Sequence, residues 1–197
     1  MEDFSIRNGR LSDCPVLARL INESSSGAAD YVFSHSSQHG DAAGKKVSEL
    51  LASEVHYSFA NTIVAQIESD VVGMALSFPA SGLLLNEQAK QHYSAQQFQY
   101  IQYFVDNKLN NSWHLDAICI RRKHRGRGIG TQLLEQVKQQ AKHYKFPSLE
   151  VFVFSSNPDA IRFYHRNGFN MCKQIDTSNH EFLSDKSPLL LMCCDLL

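Results

Sequence analysis

The sequence predicts an α/β protein in which helices flank a mixed, largely antiparallel sheet. Short apolar runs of strand length alternate with amphipathic runs of helical length along the 197 residues. Two apolar runs, Asn61–Glu68 and Val71–Phe78, are separated only by Ser69 and Asp70, which is typical of an antiparallel hairpin. Around Arg125–Gly130, an apolar run, a glycine-rich turn and a helical run, Thr131–Lys142, follow one another.

The N-terminal part begins with a short strand and two helices. Phe4–Asn8 alternates apolar and polar residues, as a half-buried strand does. Either Ser12 or Asp13 can cap a helix that has Pro15 in its first turn. A second helix is predicted from about Lys45 to Ser53.

Residues 79–111, between the hairpin and the next strand, are predicted to form a helical insertion. Apolar side chains recur there at helical spacing, at Tyr93, Phe98, Ile101, Val105 and Leu109.

The C-terminal part carries clear start and stop signals for one helix. Asn157 is a good N-cap, Pro158 suits the first helical position, and Gly168 lies where a left-handed C-cap belongs. Ala160 and Tyr164 are four residues apart and therefore share one face of this helix. Apolar runs predict the last three strands, at Leu149–Phe154, Phe169–Ile175 and Leu189–Cys194.

The turn Arg125–Gly130 has the composition of a phosphate-binding loop. Its three glycines let backbone N–H groups approach a ligand, and the helix that follows directs its positive dipole end to the same place. The two arginines add donors suited to phosphate oxygens. A Walker A loop is excluded because no Lys follows the last glycine, and the GxGxG spacing departs from the dinucleotide-binding fingerprint. A pyrophosphate-bearing ligand is predicted.

Two motifs in sequence resemble the GNAT N-acetyltransferase superfamily. The loop matches the family's motif A, (Gln/Arg)xxGx(Gly/Ala), and Ile118–Ile120 occupies the strand end that precedes it. The run Asn157–Tyr164 resembles motif B, N-x-x-A-x-x-x-Y, with Gly168–Phe169 following. The resemblance covers about Trp113–Met171. It implies that the motif A and motif B strands run parallel and splay apart in the middle of the sheet.

The resemblance implies an acetyl-CoA-dependent N-acetyltransferase that acts by direct transfer in a ternary complex. The acceptor would be a primary amine on a small molecule, a peptide or a protein. The glycine loop would hold the pyrophosphate, and the preceding strand end the pantetheine arm and the acetyl carbonyl. The implied cofactor-binding residues are Ile118, Cys119, Ile120, Arg125, Gly126, Arg127, Gly128, Ile129, Gly130, Thr131, Asn157, Ala160 and Tyr164. One alternative is a non-catalytic acyl-CoA-binding or sensor module of the same fold, and a second is an ordinary nucleotide-binding protein that uses the glycine loop.

Three candidates for the proton transfers follow from the motifs. Tyr164 matches the family tyrosine that protonates the departing sulfur; the other reading is a core aromatic beside Phe163. The strand His114–Ile120 resembles that of the serotonin N-acetyltransferases, which carry histidines at the positions of His114 and Asp116. Alternation puts both side chains on one strand face. The base is therefore His114, Asp116 or a water chain.

Several sites have a second reading. Asn157 would contact the cofactor or serve only as a helix cap. Cys119 could act as a nucleophile in a covalent route, although no motif pairs it with a base. The insertion 79–111 either covers the acceptor pocket or packs as a helix on the sheet edge. The irregular residues 28–44 are candidates for acceptor contacts.

Composition sets the remaining expectations. A single domain over residues 1–197 is predicted, and the net charge of −1 gives no case for nucleic-acid or membrane partners. The polar N-terminus is not a secretory signal. Five cysteines, an odd number without metal spacing, make a poor disulfide framework and fit a reducing cytoplasm, and no metal is expected. An apolar last strand could pair across a homodimer.

Overall fold

The computed structural model describes residues 3–24, 42–53, 56–83, 94–178 and 185–196. The helices in these ranges are α1 (Cys14–Ser24), α2 (Ala42–Ser53), α3 (Ala95–Asn107), α4 (Ile129–His143) and α5 (Pro158–Arg166). The strands are β1 (Ser5–Asn8), β2 (Thr62–Ile67), β3 (Asp70–Pro79), β4 (Trp113–Ile120), β5 (Ser148–Phe154), β6 (Asn170–Ile175) and β7 (Leu189–Asp195).

The strands form one seven-stranded sheet in the order β1-β2-β3-β4-β5-β7-β6. Antiparallel pairing joins β1 to β2, β2 to β3, β5 to β7 and β6 to β7. The central pair β4 and β5 is parallel, with Trp113 opposite Leu149 and His114 opposite Glu150. These are the pairs at the starts of the two strands. The predicted fold class, a mixed and largely antiparallel sheet with a parallel central pair, is confirmed.

The chain divides into two compact units, each built from two segments. The first unit comprises Met1–Phe78 and Leu115–Gln140. Its core contains fully buried side chains from α1, β3 and α4, including Leu17, Met74 and Leu133. They make the helices amphipathic and fix the face that each helix turns inward.

The second unit comprises Pro79–His114 and Ala141–Leu197. Its core includes a cluster of buried residues from β6 and β7, against which half-buried side chains of α3, of the segment after α3 and of β5 pack. The buried members are Ile175, Leu189, Leu191 and Cys193, and the half-buried ones are Tyr103, Phe104, Leu109, Phe152 and Phe154.

Local signals predicted the elements better than their ends. The hairpin formed by β2 and β3 is confirmed, and Glu68 takes a positive φ of 50° in its turn. Helix α4 begins at Ile129, earlier than the run from Thr131 that the pattern indicated. Helix α3 accounts for Ala95–Asn107 of the predicted insertion. Tyr93 and residues 28–41 lie outside the described residues.

The cysteine prediction is wrong at one pair. Cys172 on β6 and Cys193 on β7 form a disulfide between neighbouring antiparallel strands, with a Cα–Cα distance of 5.9 Å. That separation lies in the range a disulfide spans. A bulge between Met171 and Lys173 shifts the strand register at Cys172. The odd cysteine count hid this pair, since one bridge needs only two of the five.

Candidate functional site

The glycine loop takes a left-handed backbone at two positions. Gly126 has a φ of 77° and Gly128 a φ of 80°, a region that other residues adopt only with strain. A Cβ atom placed on either glycine would meet no other atom within 4 Å. The space beside this backbone is therefore open, as a cradle for a ligand requires.

The loop leads directly into the N-terminus of α4. The N–H of Gln132 donates to the Gly128 carbonyl oxygen at 3.1 Å, which begins the hydrogen bonding of the helix. The N–H groups of Ile129, Gly130 and Thr131 precede that bond and lack partners within the helix. Ile129 is buried and anchors the helix start in the core. These N–H groups and the helix dipole make the end of the loop an anion-binding position.

The two arginines of the loop are partly engaged within it. Arg125 donates its backbone N–H to the Arg122 carbonyl at 3.3 Å and its Nε–H to the Ile120 carbonyl at 2.9 Å. Arg127 Nη1 lies 3.2 Å from His124 Nδ1, and because a guanidinium only donates, that nitrogen accepts. The backbone N–H groups that could bind a pyrophosphate therefore start after Arg125. The Arg125 guanidinium keeps its positive charge.

The strand end before the loop is held tightly in the first unit. The Arg121 N–H donates to the Val72 carbonyl at 2.8 Å, and Ile118 and Ile120 are half-buried. Cys119 is buried between them.

The Cys119 thiol is protonated at neutral pH. Burial raises its pKa to about 11, and the negative charge of Glu23 adds to the rise, against the opposing effect of Arg125. Since a thiolate is the reactive form, these surroundings disfavour Cys119 as a nucleophile.

The motif B helix α5 forms as its sequence signals indicate. The Asn157 side chain accepts a hydrogen bond from the Ala160 N–H at 3.1 Å, Pro158 begins the helix, and Gly168 has a φ of 86° after its end. The Asn157 side chain therefore serves as the N-cap of α5. Ala160 itself is half-buried.

Tyr164 is buried on the inner face of α5. Its ring lies 5.4 Å from both the Phe163 and the Phe169 ring centroids. Burial raises the pKa of Tyr164 well above the ordinary value of a phenol. The hydroxyl therefore carries its proton at neutral pH and is a donor.

The second unit also holds a buried histidine and carboxylate pair. His114 is 4% exposed and Glu150 is 0% exposed. His114 Nδ1 lies 3.2 Å from Glu150 Oε1, while Glu150 Oε2 accepts a hydrogen bond from the Leu109 N–H at 2.7 Å. The predicted neighbour Asp116 is exposed. Glu150, inside the apolar run of β5, was a signal in the sequence for a buried carboxylate, but it did not identify His114 as its partner.

Two classes of feature are absent from the described part of the chain. Among residues that the structure describes, no group of three or more His, Cys, Asp or Glu side chains could hold a metal ion. Within the same ranges, none of the helices has the length and apolar character needed to cross a membrane.

A family model described as the acetyltransferase (GNAT) family matches residues 30–169. The spermine/spermidine N(1)-acetyltransferase of Bacillus subtilis (strain 168) is 31% identical over 83 residues, which are 42% of this chain and 54% of that protein. The chain therefore spans about half the length of the curated relatives it matches.

Solved structures share the fold over nearly the whole chain. An N-acetyltransferase from Staphylococcus aureus Mu50 superposes with a TM-score of 0.69 at 19% identity, covering 96% of this chain and 99% of that one. The yncA protein of Salmonella typhimurium, solved with its cofactor acetyl-CoA, has a TM-score of 0.61 at 16% identity, covering 99% and 95%. At these identities the likeness establishes the fold.

Proposed function

Because the chain belongs to the GNAT acetyltransferase family, we propose that it transfers an acetyl group from acetyl-CoA to a primary amine. One observation carries the proposal. The Gly126 and Gly128 backbone is left-handed beside open space and leads into the N-terminus of α4, which suits a pyrophosphate.

The residues of the first unit would bind the cofactor. The backbone N–H groups from Gly126 to Thr131 would donate hydrogen bonds to the pyrophosphate. The guanidinium groups of Arg125 and Arg127 would form ion pairs with its negative oxygens. The backbone of Ile118–Ile120 would bind the pantetheine arm. Bound acetyl-CoA supplies the acetyl group as a thioester.

The residues of the second unit would move the protons. Nε2 of His114 accepts the proton that the amine nitrogen loses, and the Tyr164 hydroxyl donates the proton that the departing sulfur gains. The two transfers balance. We assign the base to His114 over Asp116, because His114 is buried against a carboxylate that can stabilise an imidazolium. Burial raises the pKa of Tyr164, and it would also raise the pKa of a thiol that departs beside it, because desolvation disfavours both anions.

The relatives guide the choice of the first acceptors to test. The names of the Bacillus subtilis relatives include spermine and spermidine, so polyamines are the first acceptors to test. Lysine, a peptide with a free N-terminus and an arylalkylamine complete a panel that spans the primary amines.

The test is a thiol-release assay of the purified protein with acetyl-CoA and each amine. We expect amine-dependent release from at least one member, with acetylated amine found by mass spectrometry. Binding of acetyl-CoA without release from any member would favour a non-catalytic acyl-CoA-binding module and overturn acetyl transfer.

A further inference from the structure

The carboxylate of Glu150 is enclosed on every side. The residue is 0% exposed, and each of its oxygens has one hydrogen-bonding partner, His114 Nδ1 on Oε1 and the Leu109 N–H on Oε2. A buried carboxylate is unfavourable unless such partners compensate for the lost water. Packing alone therefore does not account for a carboxylate at this position.

We propose that Glu150 is the positioning residue of His114 in the acetylation of the amine. The carboxylate holds the imidazole with its proton on Nδ1 and so leaves Nε2 as the acceptor. This inference rests on the proposed function, in which His114 is the base.

The proposal has Glu150 as a carboxylate, and this sets the direction of the hydrogen bond. An ionised carboxylate only accepts, so Nδ1 donates, and a neutral imidazole protonated there has its lone pair on Nε2. When Nε2 takes a proton, the resulting imidazolium of His114 faces the negative charge of Glu150. The same division of roles occurs wherever a buried carboxylate orients a catalytic histidine.

The fold places the two residues together by strand register. His114 is opposite Glu150 in the parallel pairing of β4 and β5, so their side chains emerge on the same face of the sheet. The Leu109 N–H, two residues beyond α3, holds the second carboxylate oxygen. The end of the helical insertion thus fixes the rotamer of the carboxylate.

The surroundings strengthen the pair. The Phe152 ring lies 5.8 Å from the His114 ring, and the Phe104 ring lies 5.3 Å from that of Phe152. These rings lower the local dielectric constant and so strengthen the interaction between imidazole and carboxylate. Among the described residues, Glu150 faces His114 from β5, and Asp116 lies two positions further along β4, where it is exposed. The segment after α3 contributes a backbone N–H to Glu150.

The first experiment reads the tautomer of His114 in the free protein by long-range ¹H–¹⁵N NMR, with the His114→Gln variant assigning the signal. We expect the proton on Nδ1 in the unchanged protein. Glu150→Gln replaces one carboxylate oxygen with an NH₂ group, which only donates. If the NH₂ group faces Nδ1, the imidazole proton moves to Nε2. If it faces the Leu109 N–H, the hydrogen bond to Leu109 is lost. A wild-type tautomer protonated on Nε2 would overturn the proposal.

The second experiment compares turnover with cofactor affinity in the same variants. We expect Glu150→Gln to lower kcat about 100- to 10,000-fold, with acetyl-CoA affinity changed less than about twofold. Glu150→Asp keeps the charge and should recover part of the loss. The matched control is Glu135→Gln, which removes an exposed carboxylate paired with Lys138 on α4 and should leave kcat unchanged.

Folding and function are separated by the two readouts. Circular dichroism and acetyl-CoA binding report whether Glu150→Gln has folded, and Glu150→Asp replaces it if it has not. Equal turnover by the unchanged protein and Glu150→Gln would overturn the positioning role and leave acetyl transfer intact. Absence of transfer by the unchanged protein would overturn the proposed function, and with it the catalytic part of this inference, while the tautomer is still read without substrate.

Discussion

A Cβ atom at Gly73 would lie 3.0 Å from the carbonyl oxygen of Cys119, so a side chain at this position of β3 would crowd the backbone of β4. The first-unit strand end proposed to bind the pantetheine arm is thus fixed by a glycine on its neighbour. We expect Gly73→Ala to lower the free energy of unfolding by about 1–3 kcal/mol through overpacking. It should also weaken acetyl-CoA binding, because the Cys119 backbone must shift. Thermal unfolding and calorimetry check this, and unchanged values in both would contradict it.

The left-handed conformation of Gly128 is the second determinant of the loop. Gly128→Ala places a Cβ atom at a φ of 80°, which costs about 1–2 kcal/mol. We expect acetyl-CoA affinity to fall about tenfold, since that strain must be overcome in the bound loop. Gly168→Ala is the matched control, because Gly168 has a φ of 86° at the end of α5, away from the loop. Equal losses of affinity in both variants would show that the loss comes from backbone strain at any left-handed glycine and not from the glycine loop itself.

The hydroxyl of Tyr164 should act on turnover and not on binding. Tyr164→Phe keeps the buried ring but removes the proton that the departing sulfur receives. We expect kcat to fall about 100- to 1,000-fold with little change in the affinity for acetyl-CoA. Tyr103→Phe serves as control, because its hydroxyl donates to the Asp176 carbonyl at 2.7 Å on an exposed surface. A kcat within about threefold of the unchanged protein would return Tyr164 to the role of a core aromatic.

Cys119 should not become acetylated. Because burial raises the pKa of its thiol to about 11, the thiolate is scarce at neutral pH. Mixing the protein with acetyl-CoA in the absence of an amine should leave Cys119 unmodified by intact-mass and peptide mass spectrometry. An acetyl group on Cys119 that an added amine then removes would instead establish a covalent route.

The pH dependence of stability should reveal one ion pair of the first unit. Asp13 accepts hydrogen bonds from Arg7 at 2.7 Å and 3.1 Å and from the Arg10 N–H at 2.8 Å. The Arg7 guanidinium is the main cause that holds the pKa of Asp13 below its usual range. The stabilisation is therefore present above the unfolded-state pKa of about 3.9 and is lost as the pH falls through the lower folded-state pKa.

Asp13→Asn tests this dependence. We expect the variant to be less stable by about 1–2 kcal/mol at pH 7, with the difference shrinking below about pH 4. Asp159→Asn is the control, because its partner Arg162 is on the surface and both side chains are largely exposed. A difference for Asp13→Asn that persists unchanged at pH 3 would exclude the ion pair as its cause.

Features with local causes could be predicted from the sequence. The cap, the proline and the terminal glycine of α5 lie within 12 residues of one another, and the hairpin of β2 and β3 needs only its turn. The open backbone at Gly126 and Gly128 was also predictable, because glycine has no Cβ atom and tolerates a left-handed φ. Gly130, the third glycine of the motif, lies inside α4. Helix α4 begins earlier than expected, since Gly128 supplies the carbonyl that accepts its first hydrogen bond.

Features that depend on strand register could not be predicted. His114 and Glu150 are 36 residues apart and meet only because β4 and β5 pair in parallel at that position. Alternation along β4 indicated only that His114 and Asp116 share one strand face, and the structure has His114 buried and Asp116 exposed. The bridge between Cys172 and Cys193 likewise depends on how β6 and β7 align around a bulge.

The most direct test of acetyl-CoA use is a calorimetric titration of the purified protein with acetyl-CoA, with ATP and NAD titrated as controls. We expect acetyl-CoA to bind and ATP and NAD to give no heat of binding, because the loop between Ile120 and Ile129 lacks the Walker A lysine and the dinucleotide-binding spacing. ATP or NAD that binds and displaces acetyl-CoA would contradict the proposed cofactor and the acetyl transfer that depends on it.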